Sequence, residues 1–351
     1  MDVIILLASF VIIVTGAELF TNGIEWFGRK LGLSEGAVGS VLAAIGTALP
    51  ETMIPIVAIL FSAQAHSDEI GVGAILGAPF MLATLAMAVT GLVVLSARRR
   101  RASGTEIVVR THVVTHDIRS FVVAYGFALV LALLPTDAGA LRVAGAVALV
   151  VGYGWYARKH LTEAPADDAA EEELRPLRFH RLASGSNRLD GHDPHVRLVV
   201  LQVIAAAVLI LIGAQIFVGA VEGIGASLGM DELLLALLVA PIATELPEAV
   251  NAIIWIRQGK DTLAIGNITG AMVFQATIPT AIALAFAPEG WSIQGHNLVA
   301  FASAAVAFAS VAVIGIPMIA RGRLAVRSLL VGGLLYVGYV GVVLSIALAP
   351  A

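Results

Sequence analysis

The sequence predicts an all-α polytopic membrane protein with ten transmembrane helices, arranged as two inverted-topology repeats of five. Three observations predict this fold. Hydrophobic residues make up 59% of the chain and charged residues only 13%, about half the charged fraction of a soluble domain. The basic residues fall almost entirely on one side of the predicted membrane. The two halves of the chain also resemble each other.

The apolar residues form ten segments of spanning length. A transmembrane helix needs about 20 predominantly apolar residues. The predicted spans are residues 3–24, 36–62, 70–96, 120–135, 139–157, 197–223, 233–256, 262–287, 297–319 and 325–349. The first span begins with Asp2 rather than with a basic region, which argues against a cleaved signal peptide.

The distribution of Lys and Arg predicts the orientation. Of the 21 basic residues, all except Arg142 fall in loops on one side, which the positive-inside rule assigns to the cytoplasm. Both termini are then outside. The hydrophilic stretch 160–196 is a predicted cytoplasmic linker between a first half, 1–159, and a second half, 197–351. The predicted location is the plasma membrane, which is the inner membrane in a bacterium.

The internal repeat is strongest in two pairs of motifs. These pairs are GTALPE (46–51) with ATELPE (243–248) and GVGAILGAPF (71–80) with AIGNITGAMV (264–273). Because each half has an odd number of spans, the second half enters the membrane in the opposite sense. Inverted repeats are typical of alternating-access transporters, whose sites lie near the midplane where the repeats meet.

Acidic residues lie inside the predicted spans, whereas every Lys and Arg lies at or beyond a span end. The acids are Glu18, Glu51, Glu245 and Glu248. A carboxylate near the bilayer centre costs at least about 2.5–3.5 kcal/mol, so each must be protonated, hydrated or bound to a cation. Glu18 is expected to be a neutral acid bonded to a backbone carbonyl, and Glu51 and Glu248 are expected to be functional.

Glu51 and Glu248 each follow a proline in mid-span. Proline lacks an N–H group and displaces the carbonyl four residues earlier, so the two prolines should free the carbonyl oxygens of Gly46 and Ala243. Thr47 and Thr244 lie four residues before the glutamates and should share their helix faces. The converging carboxylate, hydroxyl and carbonyl oxygens suit Ca²⁺ or Na⁺. The predicted metal ligands are Glu51, Glu248, Thr47, Thr244, Glu245, Gln275, Gly46 and Ala243.

The second pair of motifs contains glycines spaced by four, a pattern that permits close helix approach in lipid. These glycines are Gly73, Gly77, Gly266 and Gly270. Asn267 and Gln275 on the same span as the last two are interpreted as polar lining of the site.

The two Pro-Glu motifs, each followed by a glycine-spaced segment, resemble the two α-repeats of the cation/Ca²⁺ exchanger superfamily, especially its prokaryotic Na⁺/Ca²⁺ exchangers. The two motif regions cover about residues 36–96 and 233–287. Each region contains two predicted spans. The resemblance implies ten helices, an inverted repeat and a central site at which Ca²⁺ and Na⁺ compete. It places the family's essential glutamates on Glu51 and Glu248, and its ligand threonines on Thr47 and Thr244.

The sequence departs from the family pattern at several expected oxygen ligands. Ala48 and Glu245 replace the serines that follow the threonines, Ala78 and Ala271 replace two further serines, and Leu82 and Gln275 replace Asn or Asp. The loss of side-chain oxygens leaves open the number of Na⁺ sites and the identity of the driving ion.

Glu245 is the most informative departure. It lies three residues before Glu248, so both carboxyls are expected within reach of one ion. Two adjacent carboxylates in a low dielectric cannot both be ionised cheaply, so a cation or a proton should lie between them. Proton coupling is therefore a rival to sodium coupling. In the alternative interpretation, Glu245 faces a water-filled vestibule.

The predicted function is a secondary active antiporter that exchanges Ca²⁺, or a similar cation, for Na⁺. The alternatives are an H⁺-coupled exchanger that uses Glu245 and Glu248, and a non-transporting regulatory or binding membrane protein.

The net charge of −4 and the absence of cysteine argue against nucleic-acid binding and thiol chemistry. No nucleophile–base pair or cofactor motif appears, so the chain is not expected to be an enzyme or to bind a cofactor. The expected partners are inorganic cations and the lipid bilayer. The loop histidines, including His112 and His116, are expected to be solvated.

Overall fold

A computed structural model describes residues 2–30, 48–62, 67–101, 103–163, 176–179, 194–228, 232–257, 259, 261–293 and 297–347. Within these ranges the chain is mostly helical, which confirms the all-α prediction. Eight described helical stretches are long and apolar enough to cross a membrane, and two of them, Ser67–Ala97 and Ala264–Phe286, combine successive helices. Glu51–Phe61 is a shorter apolar helix.

The described residues of the first half form six α-helices. They are α1 (Asp2–Lys30), α2 (Leu49–Ile56), α3 (Ser67–Met81), α4 (Met87–Ala97), α5 (Thr111–Leu131) and α6 (Gly139–Glu163). The π-helical segment Val57–Phe61 extends α2, and a second π-helical segment, Leu82–Ala86, joins α3 to α4. The strand β1 (Glu106–Ile107) lies between α4 and α5.

Seven α-helices lie within the described part of the second half. They are α7 (Val196–Leu228), α8 (Glu232–Thr244), α9 (Leu246–Arg257), α10 (Asp261–Gln275), α11 (Ile278–Phe286), α12 (Asn297–Arg321) and α13 (Val326–Ala347). The strand β2 (Leu324–Ala325) pairs antiparallel with β1, with Glu106 opposite Ala325. This small ribbon links the loop after α4 to the start of α13.

The helices that begin the two halves, α1 and α7, pack together in opposite directions. A Cβ atom at Gly16 would lie 2.7 Å from Cγ1 of Ile210, and one at Gly213 would lie 2.7 Å from Cγ1 of Ile13. Glycine at these positions therefore permits the close approach of the two helices. Gly16 follows Ile13 in α1, but its partner Ile210 precedes Gly213 in α7. The two helices are therefore antiparallel.

The packing of the other helices is matched between the halves. The contact of α3 with α12 corresponds to the contact of α10 with α5. In the same way, the contact of α4 with α13 corresponds to the contact of α11 with α6. Likewise α2 packs on α3 as α9 packs on α10. The similarity of the two halves in sequence therefore extends to the contacts between their helices.

The helices that carry the repeated motifs lie at the centre of the bundle. Every residue of α3 from Ile70 to Met81 is buried, and α10 and α11 are buried over most of their length. The apolar parts of α1, α7 and α13 are mostly exposed, as expected for helices that face lipid.

Two spans predicted as single helices are broken in the structure. The predicted span 233–256 forms α8 and α9, with Glu245 in a turn between them. The predicted span 262–287 forms α10 and α11, with Ala276 and Thr277 in the turn. Discontinuous helices are typical of ion sites in transporters because they leave backbone groups free near the midplane.

The first half is distorted at the position equivalent to the break between α10 and α11. There the chain widens into the π-helical segment Leu82–Ala86 instead of breaking. In both halves a buried threonine lies at this place. The Thr84 hydroxyl donates to the Phe80 carbonyl at 2.5 Å, and the Thr277 hydroxyl donates to the Val273 carbonyl at 2.8 Å.

Helix α5 begins at Thr111, well before the predicted start at residue 120. The extra turns bury Val114, Asp117 and Ile118 on one face, a tertiary packing that the polar and charged side chains of 111–119 do not indicate in the sequence. The expectation that His112 and His116 lie in a loop is therefore wrong.

Part of the predicted linker packs against the helices. Leu177 is fully buried with Trp26 of α1 and Val199 of α7. The backbone N–H of Arg178 donates to Oδ1 of Asn22 at 3.0 Å. The segment 176–179 is thus held against the α1–α7 pair, while most of 160–196 lies outside the described residues.

This segment also changes the interpretation of Glu18. Its carboxylate forms an ion pair with the guanidinium of Arg178, and the Glu18 side chain is 60% exposed. The expected neutral acid bonded to a backbone carbonyl is not observed, because the linker supplies a basic partner from outside the predicted spans.

Candidate cation site

The glutamates of the two Pro-Glu motifs occupy matching positions. Glu51 lies in the first turn of α2 and Glu248 in the first turn of α9. Both are buried, with 5% and 1% of their surface exposed. The positive end of a helix dipole stabilises negative charge in the first turn, so each half-helix directs favourable backbone electrostatics toward its glutamate.

Each proline occupies one of the first positions of a helix. Pro50 follows Leu49 at the start of α2, and Pro247 follows Leu246 at the start of α9. Proline is favoured at the first helical positions because no N–H is needed there. A one-residue turn at Glu245 lies between Thr244 and Glu248. Because the Glu245 N–H still donates to the Pro241 carbonyl and the Ala249 N–H to the Glu245 carbonyl, the shared helix face of Thr244 and Glu248 stays a prediction.

Two of the predicted ligands, Gly46 and Thr47, lie outside the described residues. Ala243 lies next to the C-terminal residue of α8, directly before the helix break. The half of the site that precedes Glu51 is thus undescribed, while the equivalent half before Glu248 is described through Thr244.

The carboxyl groups of the two halves lie within electrostatic reach of one another. Glu51 lies close enough to Glu248 and Glu245 to interact electrostatically with both. Glu245 likewise interacts with Glu248. The buried hydroxyl of Thr244 lies beside the Glu51 carboxylate, although no hydrogen bond of ordinary geometry joins them. The structure therefore brings Glu51, Thr244, Glu245 and Glu248 into one cluster, called here the glutamate cluster.

Two of these carboxyl groups lack hydrogen bonds. Both oxygens of Glu51 and both of Glu245 are buried without a hydrogen-bond partner among the described residues. A buried charge is stable only if it is paired or coordinates a metal; otherwise the group becomes neutral. The cluster can therefore hold a cation, or it can hold protons.

Gln275 lies at a neighbouring helix break. It is the last residue of α10 and is 1% exposed. Its side-chain oxygen has no hydrogen-bond partner in the part of the chain that the structure describes. A buried amide oxygen of this kind is a suitable ligand for a hard cation.

Four of the six positions that depart from the family pattern are apolar and buried. Ala48, Ala78, Leu82 and Ala271 are all almost fully inaccessible. Their side chains supply no oxygen, so fewer ligands are available than the resemblance implies.

The glycines of the second motif pair do not all have the predicted role. A Cβ atom at Gly77 would lie 2.4 Å from the carbonyl oxygen of Leu237 and 2.7 Å from Cγ of Pro241. Close packing of α3 against α8 through Gly77 is therefore confirmed. A Cβ atom at Gly266 would meet nothing within 4 Å, so the prediction of close packing is wrong there.

Sequence reasoning missed Tyr336 of α13. It lies within electrostatic reach of Glu245, and its ring stacks on Phe80 with centroids 5.4 Å apart. Helix α13 lies outside the repeated motifs, so only the packing of the last helix could reveal this neighbour.

These features define a polytopic membrane protein with a buried acidic site shared by two related halves, a class that includes ion transporters. The sequence profile described as sodium/calcium exchanger protein matches residues 1–158 and 198–345. The chain therefore belongs to the sodium/calcium exchanger protein family.

Similar proteins agree with this membership. The putative antiporter CaxA of Alkalimonas amylolytica is 27% identical over 288 residues, which are 81% of each chain. An uncharacterised membrane protein of Methanocaldococcus jannaschii is 21% identical over 267 residues, which are 76% of each chain.

Solved structures show the same fold. The H⁺/Ca²⁺ exchanger CAX matches with a TM-score of 0.70 and 16% identity, covering 100% of this chain and 82% of that one. The sodium-calcium exchanger NCX_Mj matches with a TM-score of 0.58 and 17% identity, covering 100% of each chain. The family match confirms the resemblance to the cation/Ca²⁺ exchanger superfamily, and the similar proteins with a named activity are exchangers or antiporters rather than enzymes.

Proposed function

We propose that this chain is a secondary active antiporter that carries Ca²⁺, or a similar divalent cation, through a single site by alternating access. The observation that carries the proposal is that Glu51 and Glu248, at matching positions in the two halves, lie within electrostatic reach of each other. A divalent cation between them balances two buried negative charges. Ca²⁺ takes about 6–8 oxygen ligands, which this environment is suited to supply.

The proposed ligands follow from the described geometry and from the repeat. Glu51 and Glu248 are the shared carboxylate ligands, and Thr244 supplies an oxygen beside Glu51. By the repeat, Thr47 is proposed to act beside Glu248. The remaining proposed oxygens come from Glu245, Gln275 and the carbonyls of Gly46 and Ala243.

The proposed architecture is an inverted repeat of ten helices. It is supported by the antiparallel packing of α1 and α7 and by the matched contacts of the other helices. The proposed membrane is the plasma membrane, with both termini outside and 160–196 in the cytoplasm, because the basic residues favour that orientation.

The coupling ion is either Na⁺ or H⁺. The resemblance to Na⁺/Ca²⁺ exchangers supports Na⁺, but the buried Ala78, Ala271 and Leu82 remove oxygens that a Na⁺ ion needs. Glu245 adds a buried carboxyl without a hydrogen-bond partner in the described structure, next to Glu248. A site that loses neutral oxygens and gains a carboxyl is better suited to exchange Ca²⁺ for protons, so we infer that H⁺ is the coupling ion.

The test is ⁴⁵Ca²⁺ uptake into proteoliposomes under a Na⁺ gradient or a pH gradient, each imposed alone. We expect uptake under the pH gradient, and we expect Glu51→Gln and Glu248→Gln to reduce it to the level of protein-free liposomes. Glu289→Gln, at an exposed position, is the matched control and should transport normally.

The other outcomes are equally informative. Uptake under the Na⁺ gradient alone would identify Na⁺ as the coupling ion. If neither gradient moves a divalent ion, the chain is a regulatory or binding protein that retains the exchanger fold. Transport that survives both glutamate substitutions would show that the site is elsewhere.

A further inference from the structure

A second cluster of metal-binding side chains lies apart from the glutamate cluster. His116 and Asp117 belong to α5, and His160 belongs to α6. Each residue offers one ligand atom, and the three atoms lie within 4.8 Å of one another. Asp117 is 1% exposed, and the side chain of His160 is 18% exposed. A buried carboxylate is therefore joined by two imidazoles close to the surface.

The carboxylate of Asp117 is held in place from both sides. Its Oδ1 accepts a hydrogen bond from the Tyr156 hydroxyl at 2.8 Å and lies 3.0 Å from Nε2 of His160. Its Oδ2 accepts a hydrogen bond from the Thr269 hydroxyl at 2.7 Å. Hydrogen bonds of this kind orient a ligating carboxylate and are common around protein metal sites.

The imidazoles are also held by packing. The ring of His116 stacks on Tyr156 with centroids 5.5 Å apart and an interplanar angle of 11°. The rings of His116 and His160 have centroids 5.4 Å apart. The three side chains are thus close to a binding arrangement without a change in the backbone.

A surface cavity of about 350 Å³ leads to this cluster. It is lined by Thr111, His112, Thr115, His116 and Arg119. His112 and Arg119 are exposed, so the cavity is reached from outside the protein. The Arg119 guanidinium opposes cation entry, whereas His112 lies one turn before His116 and adds a further imidazole to the path.

We propose that His116, Asp117 and His160 bind one divalent transition-metal ion of the Zn²⁺ type, with water as the fourth ligand. Two imidazoles and one carboxylate, with an open fourth position, form a ligand set that Zn²⁺ uses in proteins. Ca²⁺ prefers oxygen ligands alone, so this cluster and the glutamate cluster select different ions. The competing occupant is a proton on His160, paired with Asp117 at 3.0 Å.

The bound metal would join three helices. It bridges α5 to α6 directly, and it reaches α10 through the hydrogen bond from Thr269 to Asp117. Helix α10 ends at Gln275, one of the proposed ligands of the transported ion. A metal at this cluster therefore restrains a helix of the central site. The existence of the metal site does not depend on the proposed transport activity.

The test is Zn²⁺ binding to the purified full chain without a polyhistidine tag, measured by competition with a chromophoric chelator in excess Ca²⁺. We expect one equivalent of Zn²⁺ per chain. His116→Gln and His160→Gln should each weaken binding by about 100-fold or more, while Tyr156→Phe, which removes a hydrogen bond to a ligand, should weaken it by about 10–100-fold. His195→Gln, at an exposed position, and Glu51→Gln should bind as the wild type does.

A second measurement guards against misfolded variants. Zn²⁺ should raise the melting temperature of the wild type and of His195→Gln, but not that of His160→Gln. Unchanged affinity in His116→Gln and His160→Gln would overturn the proposal, as would the absence of an equivalent of bound Zn²⁺. Loss of Zn²⁺ binding in Glu51→Gln would instead place the metal in the glutamate cluster.

Discussion

Glu51, Glu245 and Glu248 place three carboxyl groups in one buried region. Their mutual repulsion and their removal from water both oppose ionisation unless a cation or a proton is present. Exchange of one occupant for another is therefore a direct consequence of the side-chain chemistry. In the proposed mechanism, two of the carboxylates bind a divalent ion and the third holds a proton.

Glu245→Gln should separate ion binding from proton coupling. The substitution keeps the size of the side chain but removes its exchangeable proton, while Glu51 and Glu248 remain to bind Ca²⁺. We expect Ca²⁺ binding within about 10-fold of the wild type, a loss of about 1.4 kcal/mol at most, with pH-driven uptake strongly reduced. Isothermal titration and ⁴⁵Ca²⁺ flux measure the two effects. Undiminished pH-driven uptake would exclude Glu245 as the proton site.

At the scale of residues, the sequence predicted the site residues that lie in the repeated motifs. It did not predict the residues that come close only through helix packing. Glu51 and Glu248 could be predicted because each lies in a Pro-Glu motif at a matching position. Tyr336 could not, because its proximity to Glu245 depends on how α13 packs. The association of His116 with His160 depends in the same way on contacts between two helices.

At the scale of helices, the broken elements are those that carry the motifs. Helix α9 starts anew after Glu245, and α11 starts anew after Thr277. The proline predicted a disturbance in the first case, and the structure places a one-residue turn there. Hydropathy could not predict either break, because both halves of each span are apolar.

Gly77→Ala and Gly266→Ala test helix packing as a matched pair. Both glycines lie inside helices, so the gain in helix propensity is about 1 kcal/mol for each. The added methyl at Gly77 would lie 2.4 Å from the Leu237 carbonyl oxygen, whereas that at Gly266 meets nothing within 4 Å. Overpacking costs about 1–3 kcal/mol, so Gly77→Ala should have the lower melting temperature. Equal melting temperatures would contradict the close packing of α3 and α8.

The loop after α4 is fixed to the second half by a buried ion pair. Arg101 donates from Nη1 to Oδ1 of Asp261 at 2.8 Å and from Nη2 to Oδ2 at 2.6 Å. Asp261 also accepts a hydrogen bond from the backbone N–H of Val108 at 2.9 Å. Both charged side chains are almost fully buried, so the pair joins α4 to the start of α10 with little competition from water.

Asp261→Asn should therefore destabilise the protein. Removing one partner of a buried ion pair costs about 3–5 kcal/mol, because the other charge is left uncompensated. The exposed pair of Arg323 with Glu106 is the control, since an exposed pair contributes only about 0–1 kcal/mol. Denaturant unfolding of Asp261→Asn and Arg323→Gln in detergent measures the difference. Equal losses of unfolding free energy in the two variants would contradict a stabilising contribution from the buried ion pair of Asp261.

At the scale of the whole molecule, the two halves meet in the glutamate cluster and along the α1–α7 pair. The repeat was evident in the sequence because its motifs align with little gapping. The packing of Leu177 with Trp26 and Val199 was not evident, because a single apolar residue in a hydrophilic linker gives no periodic pattern of hydrophobicity.

The orientation can be tested by labelling single cysteines, since the chain contains none. Asp137 lies in the exposed loop between α5 and α6, and Arg99 lies in the exposed loop after α4. A membrane-impermeant maleimide should label Asp137→Cys in intact cells and Arg99→Cys only after permeabilisation. The reverse pattern would invert the proposed topology.

The most direct measurement is anomalous diffraction from crystals of the full chain grown with Sr²⁺ in place of Ca²⁺. An anomalous peak in contact with the carboxylates of both Glu51 and Glu248 is the predicted result. A peak that contacts neither glutamate, or crystals saturated with Sr²⁺ in which no ion lies between them, would contradict a shared site built from the two halves.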